Sequence, residues 1–179
     1  DDKITYAGPR KEVPEGYEVR DASGHTVMPG LVDTHLHFSG NLTDNDNDWV
    51  IESVAQKQAC AVKQSWDALS HGLTTVCEID RNGIAIRDLV NMGVMEGPRI
   101  FATGLGFCRV AGHGDCHQLP QEISKNGHPW GDQVDGPWDL RKAVRRRLRE
   151  NPDAIKIWAT GGGIWHWDSG RDQHYCYEE

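Results

Sequence analysis

At 179 residues the chain can bury the core of one ordinary domain, and its 37% hydrophobic and 26% charged residues exclude wholesale disorder. A net charge of −8 argues against a nucleic-acid partner. No apolar stretch approaches the roughly 18 to 20 residues needed to cross a membrane. The five cysteines (Cys60, Cys77, Cys108, Cys116 and Cys176) are odd in number and form no Cys-x-x-Cys pair. They suggest neither a zinc-thiolate site nor a disulfide framework. Reduced thiols in a cytoplasm-like compartment are the expectation, with a Cys108–Cys116 pairing as the minor alternative. The chain opens on Asp1-Asp2 without a methionine, so it gives little evidence on an upstream signal peptide.

In chain order, Lys3 to Ala7, Glu18 to Asp21 and Thr26 to Met28 read as short strands, punctuated by Gly8-Pro9, Pro14-Glu-Gly16 and Ser23-Gly24. Pro29-Gly30 marks a boundary between a first domain, residues 1–29, and a second, residues 30–179. A strand over Leu31 to Thr34 follows. Apolar Ile51, Ala55, Ala59, Val62, Trp66 and Leu69 then recur at helical spacing, which predicts a helix over 49–70 that ends at His71-Gly72. Leu73 to Cys77 reads as a second strand, Ile84 to Met95 as a helix stopped by Gly97-Pro98, and Arg99 to Thr103 as a third strand. A long loop, 104–136, carries His113, His117 and His128. A helix from Pro137 to Glu150 and a fourth strand from Ala154 to Ala159 complete the pattern.

Strands alternating with helices demand a parallel α/β sheet, either doubly wound or part of a (β/α)8 barrel, and both gather active residues at the carboxyl ends of strands. His35 and His37 lie two apart at the end of strand one, where they can share a face and converge on one metal ion. Glu78 and Asp80 follow strand two, His113 follows strand three, and Lys156 lies inside strand four. A buried ammonium there carries a heavy desolvation cost unless its amine reaches the end of the sheet.

The residues over 27–37, Val-Met-Pro-Gly-Leu-Val-Asp-Thr-His-Leu-His, resemble the first-strand signature of the amidohydrolase superfamily. Gly72-Leu-Thr-Thr-Val76, Gly97-Pro-Arg-Ile-Phe101, Gly112-His-Gly-Asp115 and Ile155-Lys-Ile-Trp-Ala-Thr-Gly-Gly162 resemble, in order, its imidazolonepropionase-like and Xaa-Pro dipeptidase-like branch. The strands before Pro29 resemble part of the small β-sandwich that flanks that barrel. The resemblance implies the first half, strands one to four, of a TIM-like barrel with a binuclear metal site. His35 and His37 would hold the more buried of two divalent ions, with zinc the first choice. Lys156, carboxylated by carbon dioxide, would bridge both. Metal-activated water would then hydrolyse the C–N bond of a dipeptide, N-acyl amino acid or cyclic amide.

In the family the remaining ligands come from later strands. The expectation is therefore a fragment or one chain of a split enzyme, inactive and poor at holding metal alone, and completed by the rest of the barrel or a complementary chain in an oligomer. A non-catalytic half-barrel scaffold is the alternative, and a doubly wound phosphate-binding domain a third.

Among secondary candidates, His113 either contacts substrate or stabilises its loop, and Asp115 reads as structural. Glu78 stands where relatives differ and reads best as a salt-bridge partner under the site. Gly161 to Gly163 permit a backbone turn near the substrate. Trp158, Trp165, His166 and Trp167 either shape a substrate pocket or lid, with Trp165 as a substrate contact, or pack against the other half. The basic run Arg141 to Arg149 reads as a solvated helix face, and Asp44 to Asp48 as a solvated loop.

Overall fold

The computed structural model describes residues 3–41, 43, 45, 48–124, 130–165 and 167–179. His128, His166 and most of the acidic run 44–48 lie outside the described residues. Three parallel strands form the main sheet in the order β1 (Leu31–Leu36), β2 (Leu73–Glu78), β3 (Arg99–Ala102). Between them run α1 (Asp48–Ile51), α2 (Val54–Ser70) and α3 (Gly83–Asn91). A second, two-stranded parallel sheet pairs β4 (Gly106–Cys108) with β5 (Gly131–Gln133), separated by α4 (Gln121–Ser124) and followed by α5 (Pro137–Leu148).

The alternation of a half-buried sheet decides which face carries helices. In β3, Ile100 and Ala102 are buried while Arg99 and Phe101 are exposed. Ile100, Ala102 and Val76 pack with Phe38, Ala61 of α2 and Ile86 of α3 into the core. The opposite face, bearing His35 and Cys77, is open.

The helix expected over 49–70 is two helices. Ser53 interrupts it because its hydroxyl accepts the Gln56 N–H at 3.3 Å while Gln56 Oε1 accepts the Ser53 N–H at 2.9 Å, a capping box that starts α2 afresh. Residues 3–30 form no strand. The segments read as Lys3 to Ala7, Glu18 to Asp21 and Thr26 to Met28 are exposed throughout, and no described strand lies beside them to complete their ladders. The fourth strand is also less than expected. Around Lys156 it makes a single parallel bridge, Phe107 with Ile157, in which Phe107 N–H donates to Lys156 C=O at 2.9 Å and Trp158 N–H to Phe107 C=O at 3.0 Å. The loop 104–136, conversely, supplies β4 and β5. Glycine makes that pairing possible: a Cβ at Gly106 or at Gly131 would lie 2.7 Å from Cζ3 of Trp158, whose ring fills the space. All five cysteines are free.

The basic run on α5 is solvated except for Arg147, which is buried between Asp132 and Glu150. Buried Arg87 of α3 ties the sheet to the segment after α5. Its Nη1 donates to Asp153 Oδ2 at 2.7 Å, and the same oxygen accepts the Ala102 N–H at 2.8 Å.

The salt bridge expected for Glu78 does not form. Its side chain is fully buried and takes the Phe38 N–H at 3.0 Å on Oε1, because no described cation comes close enough to pair with it. Burial first, then the charge of Asp80, push its pKa from 4.5 up to about 8 against the pull of nearby backbone N–H groups. Asn82 completes the grip, donating from Nδ2 to Phe38 C=O at 2.8 Å.

Because the folded state keeps the Glu78 proton up to about pH 8 while the unfolded chain releases it near 4.5, stability falls as pH rises through that window. Urea unfolding should show wild type losing on the order of a few kcal/mol more than Glu78→Gln between about pH 5 and about pH 8. Parallel pH profiles would contradict this. Asp153→Ala should cost about 1–3 kcal/mol in the same assay, since it removes two hydrogen bonds and one partner of a buried guanidinium.

Candidate active site

His35, at the end of β1, and His37, just past it, project from the open end of the sheet. Their ring centroids are 5.4 Å apart in an edge-on arrangement. The His35 N–H donates to Asp33 Oδ1 at 2.9 Å. Partial burial, then the charges of Lys156 and His37, hold the His35 imidazole below its ordinary pKa, with Asp33 opposing. The neutral form is thereby favoured, which is the form that binds metals. His37 Nδ1 stands 3.8 Å from Asp80 Oδ2.

Lys156 is half-buried, and its Nζ lies 5.3 Å from the centroid of the Trp158 ring. Desolvation lowers its pKa, with Cys77 nearby opposing. Both basic groups of the open face are therefore biased toward their neutral, nucleophilic or ligating forms. Among the described residues no three His, Cys, Asp or Glu side chains converge well enough to hold a metal ion. The two imidazoles are donors of the kind that divalent ions such as zinc take.

Beside these residues a cavity of ≈ 190 Å³ is walled by His37, Asp80, Trp49, Trp130 and Trp158, with Ser39 and Asn41 at its edge. Trp130 is the hub of the aromatic wall. Its ring centroid is 4.9 Å from Trp49, 5.6 Å from Trp165, 6.3 Å from His113 and 6.5 Å from His37. Trp165 does not face this cavity. It is buried with Trp49 and Cys116, and its Nε1 donates to the His113 C=O at 2.8 Å, so it supports the wall instead of forming it. Trp167 is exposed. Asp115 is structural, as its sequence context suggests: its Oδ2 accepts the Ala111 N–H and its Oδ1 accepts from Gln133.

His113 is held from one side by Asp168, whose carboxylate accepts from Nδ1. Asp168, Trp130 and Trp49 are the residues that sequence reasoning missed. Trp49 reads as a helix residue, and Trp130 lies in an irregular loop. Asp168 pairs with a residue 55 positions earlier, a separation that no local pattern announces.

Residues 26–164 match the Amidohydrolase family. Ochratoxinase of Aspergillus niger is 30% identical over 194 residues, an alignment covering 98% of this chain and 40% of that protein. A solved prolidase complexed with N-methylphosphonate-L-proline is 27% identical with a TM-score of 0.77, over 94% of this chain and 42% of that one. A solved Xaa-Pro dipeptidase with bound methionine in its active site is 29% identical with a TM-score of 0.67, over 84% of this chain and 38% of that one. The chain thus spans about two-fifths of the length of these relatives. No described helix is long and apolar enough to cross a membrane. With most of its length matched and the His-x-His pair at the end of a parallel strand, this chain belongs to the amidohydrolase family.

Proposed function

We propose that this chain carries the first half of a metal-dependent amidohydrolase site, at the mouth of a (β/α)8 barrel, that hydrolyses the C–N bond of an N-acyl amino acid or a dipeptide-like amide. One observation supports the reading: the His35 and His37 rings stand 5.4 Å apart at the end of β1, and Lys156 is near enough for its charge to lower the His35 pKa. The names of the similar proteins, ochratoxinase, prolidase and Xaa-Pro dipeptidase, support the same reaction class.

His35 and His37 would hold a divalent ion, zinc being the first choice, through neutral imidazole nitrogens. The neutral Lys156 amine would attack carbon dioxide. An N–C bond forms, a proton leaves to solvent, and the resulting carbamate offers two oxygen donors for a pair of ions. When bound, the metal supplies Lewis acidity toward a carbonyl and acidifies water. Trp49, Trp130 and Trp158 would take the apolar part of the substrate by ring contact, with Asp80 as a charged group on the same cavity. The substrate, the remaining metal ligands and any partner chain belong to the whole protein.

In the whole protein, Lys156→Ala and His37→Ala should each abolish hydrolysis of a panel of N-acyl amino acids and Xaa-Pro dipeptides while leaving the circular dichroism spectrum unchanged. Full turnover by either folded variant would overturn the assignment. Prolonged chelation of wild type should also stop turnover, and zinc with bicarbonate should restore it.

A further inference from the structure

The Gly112-His-Gly-Asp115 loop and the Gly161-Gly-Gly163 segment are far apart in sequence but meet at one ring. Gly162 lies so close to His113 that a Cβ there would be 2.1 Å from Cε1. Beyond the glycines the chain turns back, and Asp168 N–H donates to Trp165 C=O at 3.0 Å. The turn carries Trp165 Nε1 onto the His113 carbonyl and the Asp168 carboxylate onto His113 Nδ1. The carboxylate oxygen that meets the ring also takes the Gly163 N–H at 3.0 Å. Three groups from a single turn thus fix one histidine, in backbone and in ring.

The burial of this pair is lopsided. The Asp168 side chain is 1% exposed and that of His113 14%. Burial raises the Asp168 pKa, but the hydrogen bond from His113 and the backbone N–H groups of Gly162 and Gly163 lower it further, so the group is held below the ordinary carboxylate range. An ionised carboxylate sealed from water needs a hydrogen-bonded partner, and His113 is its side-chain partner. The His113 ring in turn lies 6.3 Å from Trp130 and 6.4 Å from Trp158, two walls of the cavity beside His37.

We propose that Asp168 is the positioning residue of His113: it takes the Nδ1–H, fixes the tautomer and rotation of the ring, and leaves Nε2 as the nitrogen that meets the substrate. A neutral ring held in this way offers the Nε2 lone pair as an acceptor, and a protonated one offers an Nε2–H donor. In both states Nδ1 keeps its proton. Trp165 and Gly162 then act as the mount: the indole holds the loop carbonyl, and the absence of a side chain at 162 lets the ring sit flush. This extends the reading of the cavity as a substrate site and rests on it.

The test is ¹⁵N NMR of the imidazole nitrogens in the purified protein without substrate, with His113→Gln giving the assignment. Wild type should show Nδ1 protonated on both sides of the ring's titration, and Asp168→Ala should lose that preference while Trp165 keeps its buried fluorescence. A purely structural Asp168 would not move the tautomer. An unprotonated Nδ1 in wild type overturns the proposal, and so does an unchanged tautomer in a folded Asp168→Ala. Should that variant fail to fold, the wild-type tautomer alone decides. In the active whole protein, Asp168→Ala should lower kcat/KM on the order of 10²-fold. Because the tautomer is read without substrate, a whole protein that hydrolyses no amide would sink the proposed function, while the NMR signals would still decide whether Asp168 positions His113.

Discussion

The working end of the sheet depends on one buried carboxyl. Glu78 closes β2, and its side chain crosses to the turn after β1, where it holds the Phe38 N–H while Asn82 holds the Phe38 carbonyl. Its own backbone carbonyl accepts the Thr103 N–H at 3.1 Å, and the next residue, Ile79, donates to Leu36 C=O at 3.0 Å. The exits of three strands are thereby tied within two residues, and Phe38 is locked immediately after His37. A hydrophobic side chain at position 78 would fill the space and keep the main-chain bonds between the strands, but it would leave the buried Phe38 N–H without its partner. The arrangement is viable because burial keeps the carboxyl protonated near neutral pH, which avoids the larger cost of an unpaired charge in the core.

Beyond that joint, partial desolvation sets the chemistry. Desolvation lowers the pKa of both His35 and Lys156, and the charge of Lys156 further disfavours a proton on His35. The tryptophan wall deepens this effect. Trp158 lies under the Lys156 amine and against two glycines of the second sheet, so the aromatic surface that shapes the cavity also excludes water from the lysine.

Much of this was legible from residue order. Turn and breaker residues, with one helical stripe, located β1, β2, β3 and the three longer helices to within a few residues, and all but α5 pack on one core. Pro137 stands at the first position of α5, as its fixed φ requires. His35, His37 and Lys156 stood out as a candidate ligand set only because the family resemblance joined two imidazoles two apart on a strand to a lysine in an apolar run. The failures share a cause in non-local contact. β4 and β5 are three residues each and exist only because Trp158 packs across glycines 25 residues apart. The strand around Lys156 read as regular, yet only one of its residues forms a ladder bridge to β4. Glu78 suggested a salt bridge because carboxylates usually find cations, whereas here backbone N–H groups take that place. Trp165 suggested a pocket wall, but its indole N–H had a partner on the His113 loop. Asp168 was invisible for the same reason.

The most direct measurement is native mass spectrometry of the whole protein, purified without chelator and held in zinc and bicarbonate, beside Lys156→Ala. The account predicts bound divalent metal together with one added carbon dioxide in wild type, and loss of the carbon dioxide with weakened metal retention in the variant. A folded wild-type protein carrying neither metal nor carbon dioxide would contradict it, and so would metal bound equally well when Lys156 is gone.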